Sequence, residues 1–227
     1  MFTETAHVQN YAKYRMRYGE SVFKYIVDYC KEARPGLDLC VDVGCGSGQS
    51  TTGFAGYFKK VVGVDISEHQ ISQAPKDLPN VEFKVASAEE LTFLEAESVD
   101  LWASGQSFSY MAEKETFAEA DRVLKPGGTL AIFGYLTLKG KEQPINEVLY
   151  KIISKVLPYW PQESKAIFNK FKHVNLPYPG WIRKNDIVSP HHVTLEELTG
   201  VFASFYSVVA YMKAHPEEDF LKDIETR

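Results

Sequence analysis

Val41-Asp42-Val43-Gly44-Cys45-Gly46-Ser47-Gly48-Gln49 closes an apolar run that begins at Leu37 and opens a helical pattern from Gln49 to Phe58, so its glycines fall at a strand-to-helix turn. Such a turn brings main-chain N–H groups close to a ligand. A dinucleotide fingerprint, G-x-G-x-x-G, needs a third glycine at the place of Gln49; the spacing here is D-x-G-x-G-x-G. Asp42 beside the turn repels a pyrophosphate and suits ammonium or hydroxyl groups. Val61-Val62-Gly63-Val64-Asp65 reads as a second strand ending in an acid, about twenty residues past the first glycine, where α/β sheets hold ribose hydroxyls. Turn and acid together describe a site for a nucleoside without phosphates.

Outward from this stretch the pattern alternates. Strands are predicted near 38–43, 61–65, 81–85, 98–103 and 128–135, with helices near 49–58, 67–76 and 113–124. That order predicts an α/β fold, a doubly wound, mostly parallel sheet with helices on both faces. Its ligand crevice lies beyond the carboxyl ends of the strands, where Gly44, Asp65, Ala88 and Gln106 emerge. Residues 7–32 read as amphipathic helix, with Tyr11, Tyr14, Tyr18, Val22, Tyr25, Ile26 and Tyr29 as the stripe that packs on the sheet. Lys125-Pro126-Gly127-Gly128 is a helix stop and a turn into a buried strand. Beyond it the chain is less regular, with helices predicted at 145–156 and 162–171, a sixth strand at 171–176 and one long helix at 194–214. Only a short charged tail follows Pro216.

A chain of 227 residues suits one large domain. A formal charge of -5 offers no basic field for nucleic acid, and the short lysine runs Lys59-Lys60 and Lys139 to Lys141 read as solvated surface. No apolar run reaches membrane-span length, and the N-terminus lacks the apolar segment of a signal peptide, so no membrane partner and a cytoplasmic location are expected. Cys30, Cys40 and Cys45 lack framework spacing. Cys45 fills a position that needs a small residue, and no basic partner nearby in sequence would make it a nucleophile. No metal is expected: His191-His192 have no acidic companions and read as loop.

Four blocks, VDVGCGSGQST, VVGVDIS, ASAEEL and RVLKPGGTLAIFGY, in this order and at these intervals, resemble the class I S-adenosylmethionine-dependent methyltransferases. The segment Tyr11-Ala12-Lys13-Tyr14-Arg15 is similar to one found in the trans-aconitate-methyltransferase-like branch (methyltransferase type 11 domain), and the resemblance covers about residues 7–136. It implies a single Rossmann-like methyltransferase domain over 1–227: a helical lid at 7–32, a cofactor core at 37–136, a helical substrate cap at 137–190 after the fifth strand, and a helical segment at 191–227. The implied cofactor is S-adenosylmethionine, with S-adenosylhomocysteine as product.

The resemblance also implies roles. Tyr11 and Arg15 fold over the cofactor, while Asp42, or the backbone around Gly44, meets its methionine end, with Gly46, Gly48 and Gln49 as further cofactor-binding positions of the turn. Asp65 takes the ribose hydroxyls. Ile66, Ser87, Ala88 and Glu89 line the adenine pocket, although Glu89 also fits an ordinary acidic helix start. Gln106 closes the crevice at the fourth strand. The family places a His-Trp pair where this chain has Ser109 and Tyr110, so no catalytic base is assigned. Ser109, Tyr110, Tyr135, Tyr159, Trp160, Tyr178, Trp181 and Arg183 are candidates for an acceptor pocket; aromatics suit an apolar or cationic acceptor and Arg183 a carboxylate. The family's last, antiparallel strand is missing, which leaves a sheet edge for a loop or a homodimer to cover. Methyl transfer to a small molecule is the expected function. A catalytically idle cofactor-binding partner protein is the alternative, and a nucleotide-linked oxidoreductase is disfavoured by Gln49.

Overall fold

The computed structural model describes residues 14, 16–34, 36–111, 113–135, 138–162, 169–172 and 174–225. The chain divides into two compact units, one built from Arg17–Gly134 with Lys172–His191 and the other from the described parts of Met1–Met16, Tyr135–Phe171 and His192–Arg227.

The first unit is a five-stranded sheet of β1 (Leu39–Val43), β2 (Lys60–Asp65), β3 (Val81–Val85), β4 (Val99–Gly105) and β5 (Leu124–Phe133) in the order β3-β2-β1-β4-β5. Every pairing is parallel. The order reverses between β1 and β4, which opens a crevice at their carboxyl ends. Helix α1 (Glu20–Ala33) buries Phe23, Ile26, Val27 and Cys30 against Cys40, Val61, Leu101 and Ala103 on one sheet face, with Phe54 of the short α2 (Thr51–Phe54) between them. Of the predicted stripe, Ile26 is buried and Tyr18 and Val22 pack half-buried beside it, while Phe23, Val27 and Cys30 fill the centre of the face. Tyr29 is exposed, because a phenol placed at the rim keeps its hydroxyl in water while the apolar side chains take the interior. Helix α3 (Glu68–Ser72), capped by Ser67 Oγ accepting from Gln70 N, lies against β2 and β3. Helix α4 (Glu113–Val123) serves the opposite face from α1, where Phe117 meets Phe108 and Phe108 meets Trp102.

The Lys-Pro-Gly-Gly stretch is not a turn ahead of the strand but the irregular start of β5, which begins at Leu124, and Lys125 anchors it. Its ammonium meets Asp100 Oδ1 at 2.8 Å and Asp38 Oδ2 at 3.3 Å. The other Asp100 oxygen accepts from the N–H groups of Asp38 and Leu39, both at 2.9 Å, so one fully buried carboxylate ties the starts of β1, β4 and β5. These partners hold the Lys125 ammonium above its ordinary pKa. Lys125→Met is expected to strand that charge and cost about 2 kcal/mol or more in urea unfolding, with Arg34 at 3.5 Å as partial compensation.

The predicted sixth strand at 171–176 does not form. Lys170 and Phe171 take left-handed backbone (φ +55 and +53), and Pro177 and Pro179 supply no N–H to a ladder. Residues 174–191 instead make an irregular strap. Asn175 N–H donates to Glu113 at 3.2 Å and Tyr178 Oη to Asp121 at 2.8 Å. Further on, Ser189 Oγ accepts from Gly19 N–H at 2.7 Å and Val188 O from Ser21 Oγ at 2.9 Å. The strap thus runs from α4 to the start of α1, from one face of the sheet to the other. Among the described residues no strand pairs with the outer edge of β5.

The second unit packs α5 (Gln143–Val156), α6 (Leu195–Ala203), α7 (Tyr206–Ala214) and α8 (Phe220–Glu225) around Ile152, Val156, Phe202, Val208 and Tyr211. Thr194 and Glu197 form a reciprocal capping box that starts α6. The predicted single helix at 194–214 is two, because Ser204 Oγ turns back to Val201 O at 2.6 Å and Phe205 is extended, letting its ring sit 5.7 Å from Phe202. Most of the predicted helix at 162–171 lies outside the described residues. No helix among the described residues is long and apolar enough to cross a membrane.

Candidate cofactor and acceptor site

The glycine turn is held from three sides. Val64 O accepts from Gly44 N at 2.8 Å and Cys45 N at 2.9 Å, which seats the turn against β2. Gly44 O accepts from Ser107 Oγ at 2.6 Å, which seats it against the end of β4. Gly46 N–H donates to Asp65 Oδ2 at 2.9 Å. Gly44 and Gly48 have φ +70 and +88, and a Cβ would lie 2.5 Å from Ser107 Cβ at the first and 2.7 Å from the Phe83 ring at the second. Only glycine meets both demands, and the result is a thin backbone ledge over β1.

Asp65 stands at the end of β2 with its second oxygen accepting from Ser67 N–H at 2.9 Å. Each oxygen keeps a lone pair for a further donor, and the residue remains partly open to solvent. Ile66 beside it is 76% exposed, a large apolar side chain standing in water next to a carboxylate. From β3, Ala86 N–H reaches Asp65 O at 3.1 Å, so the third loop joins the same cluster. Ala88 is buried; Ser87 Oγ donates to Glu89, which also takes Thr116 Oγ1 of α4 at 3.3 Å. No helix starts at Glu89, so the acidic-helix-start reading does not apply. Gln106 follows β4 at φ +66, a strained backbone for a non-glycine residue, pinned by its N–H to Phe133 O at 2.9 Å. Gln49 Nε2 donates to Ser47 Oγ at 2.9 Å within the turn. Gly44, Gly46, Asp65, Ser87, Ala88 and Gln106 therefore gather at the carboxyl ends of β1 to β4.

Asp42 lies below the ledge and faces α2. Its Oδ2 accepts from Ser50 Oγ at 2.7 Å and Thr51 Oγ1 at 2.6 Å, while Oδ1 is closed to solvent with no partner among the described residues. Burial pushes its carboxyl up to about 6, the two hydroxyls pull the other way, and the charge of Asp65 adds to the rise. Burial likewise raises the Cys45 thiol well above its ordinary range, which does not favour a nucleophile.

The acceptor candidates fall on both units. In the first, Ser109 and Tyr110 sit in a 3-10 turn (Phe108–Tyr110), Tyr110 exposed and Ser109 Oγ buried without a partner among the described residues. Trp181 and Arg183 stand on the strap, the guanidinium 5.4 Å from the Trp181 ring centre. Tyr178 is bound to Asp121, and burial holds its phenol proton well above the ordinary range. Tyr135 and Trp160 belong to the second unit, where Trp160 packs 5.6 Å from Phe205 and Tyr159 Oη bonds His215 Nε2 at 2.9 Å. Tyr11 and Arg15 lie outside the described residues. His215, Glu217 and Glu218 bring possible ligand atoms together, but Glu218 already takes Tyr211 Oη at 2.7 Å and Lys155 Nζ at 3.0 Å. Sequence reading missed Ser50, Thr51, Phe83 and Ser107. Gly63 inside β2 was the available signal for Phe83, since a glycine within a strand marks a close approach, here of that ring at 2.7 Å to a Cβ position.

Residues 41–132 match a methyltransferase domain family. Over 222 residues the chain is 31% identical to a protein of Dictyostelium discoideum assigned to the methyltransferases, covering 96% of this chain and 81% of that one. A Saccharomyces cerevisiae protein assigned as an S-adenosylmethionine-dependent methyltransferase is 31% identical over 139 residues, 59% of this chain and 46% of its own. A structure assigned as a type II methyltransferase, from Anaeromyxobacter dehalogenans, superposes with a TM-score of 0.80 at 27% identity over 92% of this chain and 86% of that one. The chain belongs to the class I S-adenosylmethionine-dependent methyltransferases. It is an enzyme of methyl transfer built on a Rossmann-like sheet.

Proposed function

We propose that the carboxyl ends of β1 to β4 bind S-adenosylmethionine and that the enzyme passes its methyl group to a small-molecule acceptor, a carboxylate being the first class to test. The observation that carries this is Asp65: a partly open carboxylate with lone pairs to spare, fixed by two backbone N–H groups and flanked by a bare Ile66. A hydroxyl pair and an aromatic face are what such neighbours recognise. Asp65 takes the ribose hydroxyls, Ile66 and Ser87-Ala88-Glu89 the adenine, and the ledge Gly44-Gly46-Gly48-Gln49 the methionine end, with Gln106 beside it. Tyr11 and Arg15 close over the donor. The donor supplies an activated sulfonium carbon, so the protein's task is to align a nucleophile and exclude water. Ser109, Tyr110, Trp181 and Arg183, all of the unit that carries the sheet, are the acceptor-side residues of this reading. A carboxylate is ionised at pH 7 and needs no base, which suits a site with Ser109 in place of a histidine.

Calorimetry with S-adenosylhomocysteine should show Asp65→Ala weakening affinity about 100-fold, the worth of two charge-assisted hydrogen bonds. Unchanged affinity would remove Asp65 from the site. Labelled methyl should pass to the acidic fraction of a metabolite extract and leave it as methanol in mild base, the signature of an ester. Label that survives base rules out the carboxylate.

A further inference from the structure

We infer that Asp42 sets the preference for the charged methyl donor over its uncharged spent product while touching neither: sealed beneath the glycine ledge with no cation beside it among the described residues, its carboxylate form is favoured further when a sulfonium arrives above the ledge. The inference rests on the reading of that ledge as the donor site. One oxygen of Asp42 is taken by the Ser50 and Thr51 hydroxyls and the other is sealed from solvent, so no ligand atom reaches either in this conformation. Its cross-strand neighbours, Gly63 on β2 and Ala103 on β4, offer no charge. The titratable groups that face it are Asp65 from β2, Cys45 from the turn and Cys40 on its own strand. All of them are acids or thiols; among the described residues nothing cationic compensates a charge at this position. A positive ligand held over the thin backbone would be that compensation, in an interior where fields are weakly screened.

Donor and product share adenosine, ammonium and carboxylate and differ in charge only at sulfur. A difference between them in linked proton release therefore reports the sulfonium. The released proton passes to buffer, and no covalent bond of the ligand changes. Asp42 is thus a positioning and specificity residue, with α2 held through Ser50 and Thr51.

The test is calorimetry of S-adenosylmethionine and S-adenosylhomocysteine near pH 6 in two buffers of different ionisation enthalpy. Donor binding is expected to release a fraction of a proton and product binding measurably less. The affinity ratio, donor over product, should rise about fivefold or more between pH 5 and pH 7.5. Asp42→Asn, which copies the neutral acid, should bind both ligands with a ratio that no longer changes with pH. Equal proton release by the two ligands overturns the inference, as does an Asp42→Asn variant that keeps the pH-dependent ratio or loses both ligands at every pH. No heat with either ligand on the unaltered protein overturns the donor site itself and this inference with it.

Discussion

Gly44→Ala is expected to lower stability by about 3 kcal/mol and to abolish measurable donor binding. Two independent causes add. At φ +70 an alanine sits in the left-handed region, which costs about 1 kcal/mol or more for a residue with a Cβ. The new methyl would also meet Ser107 Cβ at 2.5 Å and Met111 Cε at 2.9 Å, and relief requires the turn or the end of β4 to move. Movement breaks the Ser107 Oγ to Gly44 O bond of 2.6 Å and displaces the ledge. Urea unfolding should show a lower midpoint at an unchanged slope. Gly44→Ala with Ser107→Gly should recover part of the loss, since the second change removes the nearer obstacle and leaves the dihedral cost. A single variant within about 1 kcal/mol of the unaltered protein would mean that this turn is not under the constraint described.

Asp42→Asn should make the protein more stable at pH 7.5, by about 2 to 3 kcal/mol, and no more stable at pH 4. Burial places the folded-state pKa near 6 against an ordinary 3.8. Between those values the folded chain keeps a proton that the unfolded chain has released, so stability falls as pH rises through this window and stays lower above it. About two pKa units correspond to about 3 kcal/mol at most. Asparagine presents a carbonyl oxygen to the Ser50 and Thr51 hydroxyls and carries no charge to desolvate. The carboxyls held low by partners, Asp38, Glu119, Asp186 and Glu218, are common to both proteins and cancel in the difference. Urea titrations at pH 4, 5, 6 and 7.5 measure it. A variant less stable than the parent at pH 7.5 would show that the carboxylate is held charged and is worth holding.

Where side-chain spacing alone decides an element, the chain was readable without coordinates. The strand at 81–85, an alternating Val-Glu-Phe-Lys-Val at the sheet edge, has the bounds found in the structure, and β1, β2 and β4 lie within one or two residues of expectation, because a buried parallel strand is a short apolar run bounded by turn residues. The glycine spacing with Asp65 marked the cofactor end of the sheet for the same reason: tight turns with φ above zero admit few residues. Expectation failed where distant partners compete with local preference. Residues 171–176 look like a strand, yet a strand needs an edge partner, and Glu113, Asp121 and Gly19 hold this part of the chain as a strap. Residues 194–214 look like one helix, yet the packing of Phe202 on Phe205 breaks it at Ser204.

Asp42 shows where the division falls. Its place before the turn and its residue type were in the sequence, and both pointed to a charged group meeting the ligand. Its lack of solvent, the two hydroxyls on one oxygen and the bare second oxygen come from α2 folding back over β1. Local spacing determines which backbone conformations a segment can take, and so the strands, turns and loop ends were written in the order of residues. The dielectric around a side chain depends on every element packed against it, so the charge state of Asp42 was decided only when the chain closed.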